Sequence, residues 1–121
     1  MAREPRLICS SAELADSGRG VRFEVELGGE RAGAFAVRFR GMVYGYLNRC
    51  RHVAMELDWS EGQFFDSDGN DLVCSTHGAI YAASSGRCLG GPCSGQPLLR
   101  LPLEERDGGV YYTDTGFANE R

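Results

Sequence analysis

Cys50-Arg51-His52 and Cys74-Ser75-Thr76-His77 are the two stretches on which the reading of this chain turns. They read C-x-H, a 21-residue spacer from Val53 to Val73, then C-x-x-H. The chain has only two histidines, and both fall here. Thiolate and imidazole together are donors for zinc and for iron–sulfur centres. Zinc sites usually pair like with like, Cys with Cys and His with His. Here each stretch supplies one of each, so a zinc-stabilised interaction module fits less well. The bland alternative is a pair of buried thiols beside two satisfied histidines. It leaves the clustering of both histidines with two of the five cysteines unexplained.

The residues that follow extend the pattern. His77-Gly78-Ala79-Ile80-Tyr81 reads H-G-x-x-Y, and Gly86-Arg87-Cys88-Leu89-Gly90-Gly91-Pro92 is a loop rich in Gly that ends in Pro. With the two Cys/His stretches, this resembles the Rieske proteins, strongly over residues 48–97 and elsewhere only through strand pattern. The resemblance implies a [2Fe–2S] cluster with Cys50 and Cys74 on one iron and His52 and His77 on the other. It also implies a third loop, carrying Pro92, laid over the cluster, and a Tyr81 hydroxyl directed at a ligand sulfur. Two ferric ions, two sulfides and two thiolates sum to zero charge, and reduction makes the site −1. Imidazole in place of two thiolates raises the potential to about −150 to +300 mV, against about −400 mV for all-Cys plant-type clusters.

Departures from the family sharpen the expectation. Respiratory members carry an extra Cys in each ligand loop, joined as a disulfide; the matching positions here are Met55 and Thr76. They also carry a Ser that donates to a sulfide, where this chain has Ala79. Fewer donors disfavour the more negative reduced state. The resemblance therefore implies a potential in the lower half of the Rieske window and a ferredoxin, not a quinol oxidase subunit.

Composition agrees with an all-β domain. Gly makes up 17 of 121 residues, about twice the usual share, which suits many turns. Val21, Phe23, Val25 and Leu27 alternate with charged residues, as do Phe35, Val37 and Phe39 with Ala36, Arg38 and Arg40. These predict two antiparallel strands, with Arg38 and Arg40 facing Glu24 and Glu26. A third strand follows over Met42–Leu47. Leu7-Ile8-Cys9 predicts a strand with Cys9 buried. Leu99, Leu101 and Leu103, then Asp107-Gly108-Gly109 and Val110-Tyr111-Tyr112, predict a closing hairpin. Ser11 to Ser17 suggests one short helical turn, and residues 116–121 a frayed end. The expected architecture is a Rieske-like fold in one domain, 1–121. Its antiparallel β base, a small sandwich or barrel, spans 6–47 and 98–114, and the two-loop cluster-binding subdomain spans 48–97.

The spacer carries Glu56, Asp58, Glu61, Asp66, Asp68 and Asp71 and no basic residue. That is either a solvated hairpin or a docking patch for a basic partner. Asp66 to Asp71 lacks the Gly and Glu placement of a calcium loop and reads as a turn. Trp59 and Phe64-Phe65 are expected to pin the insertion to the base. Cys88 and Cys93 flank the third loop and could pair, but thiols are the expectation in a reducing cytosol.

Several functions fail on inventory. A Rieske oxygenase needs a second iron held by further histidines, and none is left. There is no phosphate-binding loop. Net charge −4 and the lack of a basic cluster argue against nucleic acid. No apolar run has membrane length, and no signal peptide opens the chain, so a soluble cytoplasmic location is expected. The resemblance implies a one-electron carrier between a reductase and an acceptor such as an oxygenase. An electron-transfer subunit or redox sensor inside a larger complex is the alternative.

Overall fold

The computed structural model describes residues 5–27, 29–48, 57, 62–66, 68–74, 78–91 and 97–113. Ten strands lie among them: β1 Arg6–Ser10, β2 Val21–Leu27, β3 Glu30–Phe39, β4 Met42–Leu47, β5 Asp71–Val73, β6 Ile80–Ala82, β7 Cys88–Gly90, β8 Arg100–Leu101, β9 Leu103–Arg106 and β10 Gly109–Tyr112. They form three antiparallel sheets, ordered β1-β10-β9, β2-β3-β4-β8 and β5-β6-β7. A 3₁₀ turn at Ser11–Glu13 is the helical element among the described residues. No described helix is long and apolar enough to cross a membrane. Residues 116–121 and Trp59 lie outside the described residues.

Turn chemistry sets two of the hairpins. Arg40 and Gly41 both take positive φ (51° and 85°) between the paired residues Phe39 and Met42. A two-residue hairpin needs that handedness to match the twist of its strands. Asp16 holds the turn by accepting the Gly41 N–H at 2.9 Å. Asp107 and Gly108 repeat the geometry between β9 and β10.

The four-stranded sheet is buried on both faces. Phe35, Val37 and Tyr46 point one way, into a core with Leu57, Phe64, Leu72, Tyr81 and Leu98. Ala34 and Leu47 point the other way, towards Val25, Leu101 and Tyr112, and Ala36 packs with Cys9, Leu14 and Val110. Period-2 alternation therefore holds along β3, but Ala36 is fully buried where a polar face was expected. Cys9 is buried in β1 as expected, and burial, with Glu13 nearby, pushes its thiol up to about 11.

One cross-strand pairing is corrected. The register sets Val21 opposite Ala36, so Arg38 lies beyond the end of β2 and on the face away from Glu24 and Glu26. Arg31 pairs with Glu24 instead, at 3.6 Å. Arg40 lies in the turn, its guanidinium 5.1 Å from the centre of the Phe39 ring. Arg38 reaches across to β9 and donates to both Glu105 oxygens at 2.5 and 3.1 Å, and to the Leu14 carbonyl at 2.8 Å. The Arg38 hydrogen bond holds the Glu105 carboxyl below the usual carboxylate range.

Because the folded value lies below the unfolded one, this pair stabilises the fold fully above the unfolded pKa, about 4.3, and is lost as pH falls through the folded value. Glu105→Gln should lower stability by about 1 kcal/mol at pH 7, since the pair is partly solvated. The deficit should shrink towards zero in strong acid. Urea midpoints of both proteins across pH 3–7 check this.

Candidate metal centre

The second Cys/His stretch caps the β5–β6 hairpin. Val73 and Ile80 are its last paired residues. Beyond them the Cys74 N–H donates to the Ala79 carbonyl at 2.8 Å, and the Gly78 N–H donates to the Cys74 carbonyl at 2.7 Å. These bonds close the loop at its root. Leu72, Cys74, Ala79 and Tyr81 are all fully buried in one core, and Leu72 pairs directly with Tyr81. Cys74 is in no disulfide. Before this hairpin the chain reverses at Asp66, whose carboxylate accepts the Asn70 N–H at 3.0 Å. That backbone contact is what a turn needs.

Cys50, His52 and His77 lie outside the described residues, as do Glu56, Asp58 and Glu61 of the acidic spacer. Asn48 and Leu57, the residues on either side of 49–56, are described, and they meet. Asn48 donates its backbone N–H to the Gly33 carbonyl at 2.9 Å. Its side-chain Oδ1 accepts the Leu57 N–H at 2.8 Å. Asn48 is 5% exposed and is the one buried polar residue among those described. It ties the start of residues 49–56 to their end. Sequence reading passed over it, because an isolated Asn before a loop looks like ordinary turn chemistry.

The third loop presses on the second. Gly91 takes φ 83°, and a Cβ built there would lie 2.7 Å from the Gly78 carbonyl oxygen and 2.9 Å from the Ala79 Cα. Only glycine permits that approach. Pro92 and Cys93 lie outside the described residues. Cys88, opposite Tyr81 in the sheet, is disulfide-bonded, which corrects the expectation of a thiol there. Spacing alone could not decide that point, because a bond depends on how closely the chain returns after Gly91.

This set of loops is fixed to the β base. The Tyr46 hydroxyl donates to the Ala83 carbonyl at 2.7 Å, and burial pushes its pKa up. The Phe35 and Phe64 rings stack at 3.8 Å, and Phe39 stacks on Phe65 at 6.1 Å, so the Phe pair does pin the insertion. The described donors suit an iron–sulfur cluster: a buried thiol outside any disulfide, on a hairpin where glycine lets a backbone close over it.

The model of one family, the Rieske [2Fe-2S] domain, matches residues 4–105. The chain belongs to the Rieske family. Its cofactor is accordingly a [2Fe–2S] cluster. A search of curated proteins finds no match. Among solved structures, the ferredoxin of carbazole 1,9a-dioxygenase from Nocardioides aromaticivorans IC177 superposes with a TM-score of 0.72 at 20% identity, over 91% of this chain and 97% of that one. The Sphingomonas yanoikuyae B1 ferredoxin gives 0.69 at 23% identity, over 91% and 98%. The terminal oxygenase of carbazole 1,9a-dioxygenase from N. aromaticivorans IC177 gives 0.67 at 18%, covering 93% of this chain but 30% of that one. At these identities the likeness is one of Rieske fold.

Asn48→Ala should leave the buried Leu57 N–H without its acceptor, at a cost of about 1–3 kcal/mol. Asn48→Asp keeps an acceptor and should recover part of that loss. Chemical denaturation of the three proteins checks the order.

Proposed function

We propose that this Rieske protein is a one-electron carrier, not an enzyme. In this reading residues 48–97 form the cluster-binding part of one domain, set on a base of residues 6–47 and 98–114. The observation that carries it is the family match across residues 4–105, which spans a chain whose only two histidines sit in C-x-H and C-x-x-H. Cys50 and Cys74 supply thiolates to one iron, and His52 and His77 supply imidazoles to the other. When bound, the cluster supplies a couple that takes up one electron near neutral overall charge. Asn48 and the Cys74–Ala79 bond hold the ligand loops. Gly91 closes on the second of them, and Pro92 is the family's third-loop proline in this reading. Tyr81 is buried in the same core as Cys74, and its hydroxyl would donate to a ligand sulfur. The donor is a reductase and the acceptor an oxygenase. The solved complex of reduced oxygenase and oxidized ferredoxin in carbazole 1,9a-dioxygenase, with a TM-score of 0.68 to this chain, supports the acceptor. The cytoplasm is the fitting compartment for such a system.

A second reading, a subunit or sensor held within a larger complex, rests on the likeness to part of a terminal oxygenase chain. Stable co-purification with a catalytic subunit would favour it.

The pure protein should hold about two irons and two acid-labile sulfides per chain. Its reduced EPR signal should have a lower average g than all-Cys clusters give. Cys74→Ser should abolish both cluster and signal. Zinc without iron in anaerobically prepared protein would overturn the reading.

Ala79→Ser places a donor beside an acceptor that grows more negative on reduction. A charge-assisted bond is worth about 1.5–3 kcal/mol, and the difference between redox states is smaller. About 1.4 kcal/mol corresponds to about 59 mV for one electron. The midpoint should therefore rise by several tens of millivolts, about 20–60 mV. Tyr81→Phe should lower it. Unmoved potentials in both variants, read by protein-film voltammetry, would show that these side chains do not reach the cluster.

A further inference from the structure

One side chain of the base holds the turn between β6 and β7 at two points. Ala79, Tyr81 and Ala83 alternate onto a single buried face, in the core that contains Tyr46. The Tyr46 hydroxyl donates to the Ala83 carbonyl at 2.7 Å. The Tyr46 ring lies against Gly86, where a Cβ would stand 2.8 Å from Cε1. The turn is closed by the Gly86 N–H donating to the Ala82 carbonyl at 2.7 Å and the Ala82 N–H to the Arg87 carbonyl at 2.8 Å. The Gly86 carbonyl accepts the Leu98 N–H at 2.8 Å, and Arg100, two residues on, pairs with Tyr46 in the sheet. The turn therefore has its footing on Tyr46 and on the strand beside it.

We infer that Tyr46 is a positioning residue for the redox site, acting through Tyr81. This rests on the function proposed above, in which the Tyr81 hydroxyl donates to a ligand sulfur. Tyr81 lies between Leu72 of β5 and Cys88 of β7, in a three-stranded sheet separate from that of β4. Strand pairing inside that sheet does not set its tilt on the base. Contacts across to the base do, and at the turn that contact is the Tyr46 hydroxyl. Tyr81 stands two residues before Ala83, so a tilt at the turn carries its ring along. A hydrogen bond weakens steeply with distance and angle, so a small displacement of the Tyr81 hydroxyl weakens its donation. A weaker donor disfavours the more negative reduced state.

The test is a double-variant cycle on cluster-loaded protein, with midpoint potentials read by protein-film voltammetry. Tyr46→Phe should lower the midpoint, by no more than Tyr81→Phe does. The double variant should fall no further than Tyr81→Phe alone, because the hydroxyl that Tyr46 positions is already gone. Val25→Ala thins a different core and should lower the denaturation midpoint without moving the potential. A second readout needs no cluster. Hydrogen exchange over residues 80–87, followed by mass spectrometry, should be faster in Tyr46→Phe than in Val25→Ala. Gly86→Ala presses on the Tyr46 ring with both hydroxyls in place and should also lower the midpoint. It carries the test if Tyr46→Phe loses its cluster.

A midpoint lowered by Tyr81→Phe but unmoved by Tyr46→Phe would overturn this inference and leave the proposed function standing. Additive falls would overturn it too, since Tyr46 would then act without Tyr81. So would an equal fall in Val25→Ala, which would trace the shift to lost stability. Zinc without iron in anaerobically prepared wild-type protein would overturn the proposed function and this step together.

Discussion

The Tyr46 hydroxyl, donating to the Ala83 carbonyl from inside the core, joins the four-stranded sheet to the hairpin that carries Cys74. Tyr46 belongs to β4, in the sheet that every other layer packs against. Ala83 follows β6, in the hairpin that carries Cys74. A buried carbonyl left without a donor is costly, so the hairpin cannot lift from the base without losing that bond and the Phe35–Phe64 stack together. The site thus inherits the stiffness of a sheet buried on both faces. A rigid scaffold under short loops suits a carrier, because electron transfer rewards a site that reorganises little.

Much of the fold was readable because it is local. Alternation located β2 and β3, the Arg40-Gly41 link located β4, and Asp107-Gly108 located the last hairpin, since turn and period are written in adjacent residues. The two-sided burial of β3 was not readable. A small residue such as Ala36 fits a packed face or a solvated one equally well, and only the second sheet decides. The partner of Arg38 was missed for a related reason. A cross-strand pairing depends on register, and the register depends on where β2 begins.

The site divides along the same line. Residues of metal-ligand type are read from sequence spacing, and of those only Cys74 is described, at a buried, tightly closed loop root. The residues that shape the loops do not show themselves so. Asn48 acts through Leu57, nine residues away, and Gly91 acts through Gly78, thirteen residues away. Neither contact has a local signature. Gly91 could be suspected from its glycine-rich neighbourhood, but its target could not.

Cys9 lies at the far side of the molecule, in the seam between β1 and β10. Burial, the largest cause, pushes its pKa up to about 11, so the thiol stays protonated at pH 7. In the native state it is thus doubly silent towards electrophiles, by burial and by protonation. A modified Cys9 records that the seam has opened. Chemical reactivity at that one sulfur therefore reports the opening of a sheet that does not include the Cys74 hairpin.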